Sequence, residues 1–186
     1  MKTSARALVA YESMFGNTAK VAAAVAKGLR LEGIEVGLFE VGSAPTSLPG
    51  DLDLLVVGAP THAFSLSRPS TRADAVRQGA PAERKQVGLR EWLASVRFDE
   101  AHPPALAVFD TRIAKVRWLP KAAGPTAVRV AHRHGLLAVA DPVAFVVTDL
   151  QGPLVGGEVQ RAVAWGRHLG GACVTRFAAT SLIGLD

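Results

Sequence analysis

Three short segments of this chain carry residues able to hold a ligand, and each follows an apolar run. The first is Glu12-Ser13-Met14-Phe15-Gly16-Asn17-Thr18, which follows Arg6–Tyr11 and opens directly into a helical pattern. A helix start presents unpaired backbone N–H groups and the positive end of the helix dipole, so an anion is stabilised there. Ser13, Asn17 and Thr18 add short neutral donors, and Gly16 lets the backbone approach a ligand closely. The loop holds no Lys or Arg. A nucleoside-triphosphate loop needs Gly-Lys-Ser/Thr, and a dinucleotide fingerprint needs G-x-G-x-x-G; the chain has neither. A phosphomonoester held by neutral groups fits these residues, and so does plain capping of the helix by Ser13 and Asn17.

The second segment is Gly58-Ala59-Pro60-Thr61-His62-Ala63-Phe64. Proline fixes φ at position 60 and stiffens the turn, while His62 or Phe64 offers a flat face to a ring; both could equally be ordinary loop residues. The third is Phe109-Asp110-Thr111-Arg112, followed by Trp118, which could cover a planar ligand or pack in the core. Other chemistries lack their motifs: there is no G-x-S-x-G elbow, no H-E-x-x-H and no acidic pair after the first apolar run. His132 and His134 are two apart, which on a helix directs them to different faces and argues against a shared metal.

The chain has 186 residues, the size of one domain, so residues 1–186 are expected to form a single unit. With 49% hydrophobic and 20% charged residues it can bury a sizeable core, which excludes a disordered scaffold. A single cysteine, Cys173, excludes an internal disulfide framework and a multi-cysteine zinc site, and fits a reducing compartment. The first ten residues lack the apolar centre of a secretory leader, and no run approaches the roughly 18 to 20 apolar residues that span a bilayer. A cytoplasmic protein without membrane insertion is expected. A net charge of +5 admits an anionic ligand or an acidic partner without choosing between them.

The elements that position the three segments alternate. Arg6–Tyr11 reads as a strand, and Asn17–Leu31 as a helix with Val21, Val25 and Leu29 on one face. Residues 34–41 form a weaker, more exposed strand, and 52–58 a strand covered on both faces. Residues 83–96 suit a helix, 105–109 a fourth strand, 120–134 a helix, 136–147 a fifth strand broken at Asp141-Pro142, and 155–169 a closing helix. Residues 43–49 and 65–81 read as loops, the latter long enough to suggest a role at the ligand mouth. Strands interleaved with helices predict a doubly wound α/β domain: a five-stranded parallel sheet with helices on both faces, ligands sitting beyond the carboxyl ends of the strands.

Leu8-Val9-Ala10-Tyr11-Glu12-Ser13-Met14-Phe15-Gly16-Asn17-Thr18, followed by Ala22 and Val25, resembles the phosphate loop of the flavodoxin-like family, and most of all that of the flavodoxin-like domains of flavodiiron proteins. Gly58-Ala59-Pro60-Thr61-His62 resembles the family's second flavin loop. Residues 152–154 with Gly157-Glu158 and Ala164-Trp165-Gly166 resemble its closing segment, so the likeness covers nearly the whole chain. It implies strand order 2-1-3-4-5 and one noncovalent FMN. Ser13, Met14, Phe15, Gly16, Asn17 and Thr18 would surround the phosphate, Pro60, Thr61, His62, Ala63 and Phe64 would flank the ring, and Phe109, Asp110, Thr111 and Arg112 would border its polar edge. Many short-chain flavodoxins carry a hydroxyl residue where Phe15 stands, which removes one phosphate hydrogen bond.

The resemblance further implies redox chemistry carried by the flavin ring, with no catalytic side chain required. A carrier exchanging electrons with a redox partner protein is expected. The alternatives are an FMN-dependent NAD(P)H:quinone-type oxidoreductase and a domain that has lost flavin. Six basic residues lie between Arg68 and Arg90 and six between Arg112 and Arg133, the second set with no acid among them. The acidic shuttle flavodoxins resemble the opposite arrangement. The basic segments suit an acidic partner or an anionic substrate, and Arg112, Lys115 and Arg117 are expected to make the flavin potential less negative.

Overall fold

A computed structural model of the chain describes residues 4–62, 65–116 and 122–183, with 176–183 described as helix backbone alone. Five strands, β1 (Arg6–Tyr11), β2 (Glu35–Glu40), β3 (Leu54–Pro60), β4 (Ala105–Ile113) and β5 (Val143–Val147), form one parallel sheet in the order β2-β1-β3-β4-β5. The chain steps outward from β1 to β2, then crosses back to β3. The reversal leaves a crevice at the carboxyl ends of β1 and β3, where loops diverge to opposite faces.

The sheet interior follows from side-chain alternation. Leu8, Ala10, Leu55, Val57, Leu106 and Val108 enter one core, beneath α3 (Leu89–Ser95) and α4 (Ala123–Arg133). Ala7, Val9, Leu54, Val56, Ala107 and Phe109 enter the other, beneath α1 (Asn17–Leu31) and α5 (Glu158–Ile183). Both faces are therefore apolar, which is why β3 reads as an uninterrupted hydrophobic run. Each fully buried Val or Leu of these strands contributes about 1.5 to 3 kcal/mol. At the sheet edge β2 is half exposed, as its mixed composition predicts.

Helix α1 buries Val21, Ala22, Val25, Ala26 and Leu29, spaced for one face, and its start and end match the sequence reading. The segment 65–81, read as a loop, instead contains the helix α2 (Pro69–Arg77). Only Arg72 and Ala75 of α2 are buried, so its sequence shows no apolar stripe. The expected helix over 83–96 is divided: a 3₁₀ turn at Ala82–Lys85 precedes α3, and Gly88 separates them. A Cβ at Gly88 would collide with the Arg72 guanidinium, so the division makes room for a buried cation. The expected helix over 120–134 is described as α4, Ala123–Arg133.

The fourth strand runs past its expected end to Ile113, and the fifth is confined to Val143–Val147, with Ala138 bridging back to Leu106. The closing helix is far longer than 155–169 because Gly170 and Gly171 do not end it. A Cβ at Gly170 would lie 2.8 Å from the Glu32 side chain, so glycine there permits close approach to the end of α1.

Candidate functional site

The loop after β1 keeps pairing with the sheet through the Glu12 N–H, which donates to the Gly58 carbonyl at 2.9 Å. It then turns into α1 through Gly16, whose φ of 87° is left-handed and favours glycine. The Ser13 hydroxyl, buried at 1% exposure, accepts the Ala19 N–H at 3.2 Å and so caps α1. The Asn17 amide donates to the Gln151 carbonyl at 3.0 Å, and the Thr18 and Thr111 hydroxyls meet at 2.8 Å. The backbone N–H groups of Phe15, Gly16, Asn17 and Thr18 have no acceptor among the described residues. No acidic residue stands in the first turn of α1 to occupy them. Bare donors plus the helix dipole are the chemistry that can take up an anion.

A shallow, open cleft adjoins this turn. Met14, Phe15, Asn17 and Thr18 line it from the first loop, Pro60, Thr61 and His62 from the second, and Thr111 and Arg112 from the third. The structure thus brings all three segments together. It adds Ile113, Val147 and Leu150, which carried no sequence signal beyond being apolar. Ala63, Phe64, Arg117 and Trp118 lie outside the described residues.

The loops are braced from below. Thr61 donates its N–H to the Thr111 carbonyl at 2.8 Å, and its hydroxyl accepts the Ala123 N–H at 3.1 Å. His62 and Ser65 exchange two backbone hydrogen bonds. Burial, then the nearby Arg72 charge, lower the His62 pKa from its ordinary 6.5, so the imidazole lining the cleft is neutral at pH 7. Met14 is 1% exposed and packs on Ala75 and Ala80, which fastens the first loop to α2.

Phe109 and Asp110, expected at the ring's polar edge, turn their side chains away from the cleft. Phe109 points into the core, edge-on to Phe145 and Trp165 with ring centroids 5.9 and 6.1 Å away. Asp110, fully buried, accepts the Gly124 N–H at 3.0 Å and grips the Arg112 guanidinium through two bonds of 2.8 and 2.6 Å. Thr111 and Arg112, nearer the carboxyl end of β4, line the cleft. Arg112 therefore brings a charge paired with Asp110 to the cleft. The basic residues of 68–90 are also largely engaged. Arg72, 1% exposed, donates to the Ser67 hydroxyl, the Lys85 carbonyl and Glu91, and Arg77 pairs with Asp74. Arg68, Lys85 and Lys115 remain exposed.

Beneath the first loop lies Glu12, 2% exposed. One carboxylate oxygen accepts the Leu89 N–H at 2.8 Å, while the other has no hydrogen-bond partner. Burial raises its pKa against the opposing pull of Ser67, Leu89 and Arg72. Among the described residues no group of three or more His, Cys, Asp or Glu could hold a metal ion, and no helix is long and apolar enough to cross a membrane.

Strand order, crevice and loop arrangement define a flavodoxin-like α/β domain. Among solved structures the chain is similar to a flavodoxin from the domain Archaea, at 16% identity and a TM-score of 0.59, covering 90% of this chain and 98% of that one. Flavodoxin 1 from Bacillus cereus is similar at 16% identity and TM-score 0.58, covering 87% and 95%. The flavodiiron protein from Giardia intestinalis is similar at 18% identity and TM-score 0.59 over 91% of this chain; the match spans only 36% of that protein's length. No family model and no curated protein matches the sequence.

Proposed function

We propose that the chain binds one FMN and works as an electron-transfer flavoprotein. The observation that supports this reading most is the left-handed turn at Gly16, where four backbone N–H groups without an acceptor among the described residues adjoin a cleft lined by all three loops. These amides would hold the phosphate, with Asn17 and Thr18 alongside. Pro60, Thr61 and His62 would border one side of the ring, and Thr111, Arg112 and Ile113 the other. When bound, FMN supplies one- or two-electron chemistry. The chain's own residues exclude water, through Ile113, Val147 and Leu150, and set the electrostatics. Neutral His62 and the paired Arg112–Asp110 add little net charge to the wall.

The exposed cations Arg68, Lys85 and Lys115 suit an acidic redox partner, because complementary surface charge accelerates encounter. The decisive experiment is to add FMN to the purified chain and record the visible spectrum and the heat of association. Saturable binding at one FMN per chain is expected; a colourless protein with no heat of association would sink the reading. The loaded protein should accept electrons from a reductase yet show no turnover with NAD(P)H and a quinone alone. Turnover without an added reductase would replace the carrier with an enzyme.

A further inference from the structure

The loop that starts α1 has no basic residue of its own, but tertiary structure brings one to it. Arg84, in the 3₁₀ turn Ala82–Lys85, donates from Nη1 to the Met14 carbonyl at 2.9 Å. Its Nε lies 3.7 Å from the Glu40 carboxylate at the end of β2, and the side chain is 26% exposed. The contact joins positions 70 residues apart.

The Met14 carbonyl and the Phe15 N–H belong to one peptide group. That group is planar and trans, so its C=O and N–H point in opposite directions. A guanidinium holding the carbonyl therefore directs the Phe15 N–H away from itself, and this N–H has no acceptor among the described residues. A charged donor on the carbonyl also polarises the peptide and strengthens its N–H as a donor. Position 15 has a phenyl ring in place of a hydroxyl, so its backbone amide is the only donor it can offer an anion.

We propose that Arg84 is a positioning residue of the anion site: by fixing the Met14–Phe15 peptide it aims the Phe15 N–H at the ligand phosphate and makes the chain prefer FMN over riboflavin. The role rests on the FMN reading above and adds a specificity determinant to it. Arg84 acts through the peptide and through its charge, and Glu40 competes for that charge.

The test compares FMN with riboflavin, which lacks the phosphate, by titrating the full-length wild type, Arg84→Met, Arg84→Lys and Glu40→Gln and following flavin fluorescence. Arg84→Met is expected to weaken FMN about tenfold while changing riboflavin less than about twofold. Arg84→Lys keeps the charge but loses the planar fork, and should recover part of the FMN preference. Equal weakening of both flavins by Arg84→Met, the signature of a merely structural residue, overturns the proposal, as does no change in either. Should Arg84→Met fail to fold, Glu40→Gln decides: freeing the guanidinium should raise the FMN preference about twofold, and an unchanged or lower preference overturns the role. Wild type that takes up neither flavin refutes the FMN reading itself. Wild type that binds FMN, with variants of unaltered preference, removes Arg84 alone.

Discussion

Two carboxylates are buried near this cleft, and one of them, Asp110, forms a direct ion pair. Asp110 is neutralised by a two-pronged contact with Arg112 and a main-chain N–H. Removing it leaves a guanidinium at 13% exposure without that carboxylate, so Asp110→Ala should destabilise the fold by about 3 kcal/mol in chemical denaturation. A loss under 1 kcal/mol would show that Arg112 finds water or another acceptor. Glu12 lies near one buried cation that pairs directly with Glu91, and burial raises its pKa above the ordinary 4.5. In the interval between those two values the folded state holds a proton that the unfolded state has released. Stability from this group is thus full below pH 4.5 and declines as pH rises through the folded value. Glu12→Gln keeps an acceptor for the Leu89 N–H and cannot ionise. Its stability relative to wild type should grow as pH rises from 4.5, and a difference constant with pH would refute the raised pKa. His62 acts in the reverse sense: its lowered pKa contributes stability above pH 6.5 that is lost in acid.

At the level of elements, the cleft depends on how α1 is seated, and α5 holds it there. The two helices cross at Gly28 and Gly166. A Cβ on Gly28 would collide with the Val163 carbonyl and lie 2.8 Å from the Arg167 nitrogen, and one on Gly166 would collide with the Val25 carbonyl. These obstacles are backbone, so a rotamer change cannot relieve them. Gly28→Ala or Gly166→Ala should each cost about 1 to 3 kcal/mol by pushing the helices apart. The double variant should cost less than the sum, because both strain one contact. Full additivity in denaturant titrations would show that the crossing is not shared. Helix α2 is tied in differently, through Met14 on Ala75 and Ala80 and through Arg72, so segment 65–81 forms a wall behind the loop that starts α1.

For the molecule as a whole, the sheet carries an apolar core on each face. FMN at about 100 times its dissociation constant should add about 2.7 kcal/mol of stability through mass action. In a chain of this size the midpoint of thermal unfolding should rise by about 5 to 10 °C, a shift measurable by calorimetry with and without FMN. An unchanged midpoint at saturating FMN would contradict the proposed cofactor. The net charge of +5 does not surround the cleft as a uniform basic field, since Arg72 and Arg112 are paired with Glu91 and Asp110.

What the sequence determined was local or periodic. The continuous apolar runs of β1 and β3, the one-sided spacing of Val21, Val25 and Leu29, and the glycine before Asn17 each report a preference of neighbouring residues, and so fold, loop positions and the start of α1 were legible. Tertiary structure alone decided which polar groups meet. Arg84 reaching Met14, Asp110 turning inward to Arg112 and Gly124, and Arg72 buried within a short polar helix have no signature in spacing. A side chain's charge has its effect only after distant segments are packed around it, because desolvation and pairing depend on three-dimensional neighbours. Apolar periodicity needs only the chain itself, and the balance of charge at the cleft needs the whole fold.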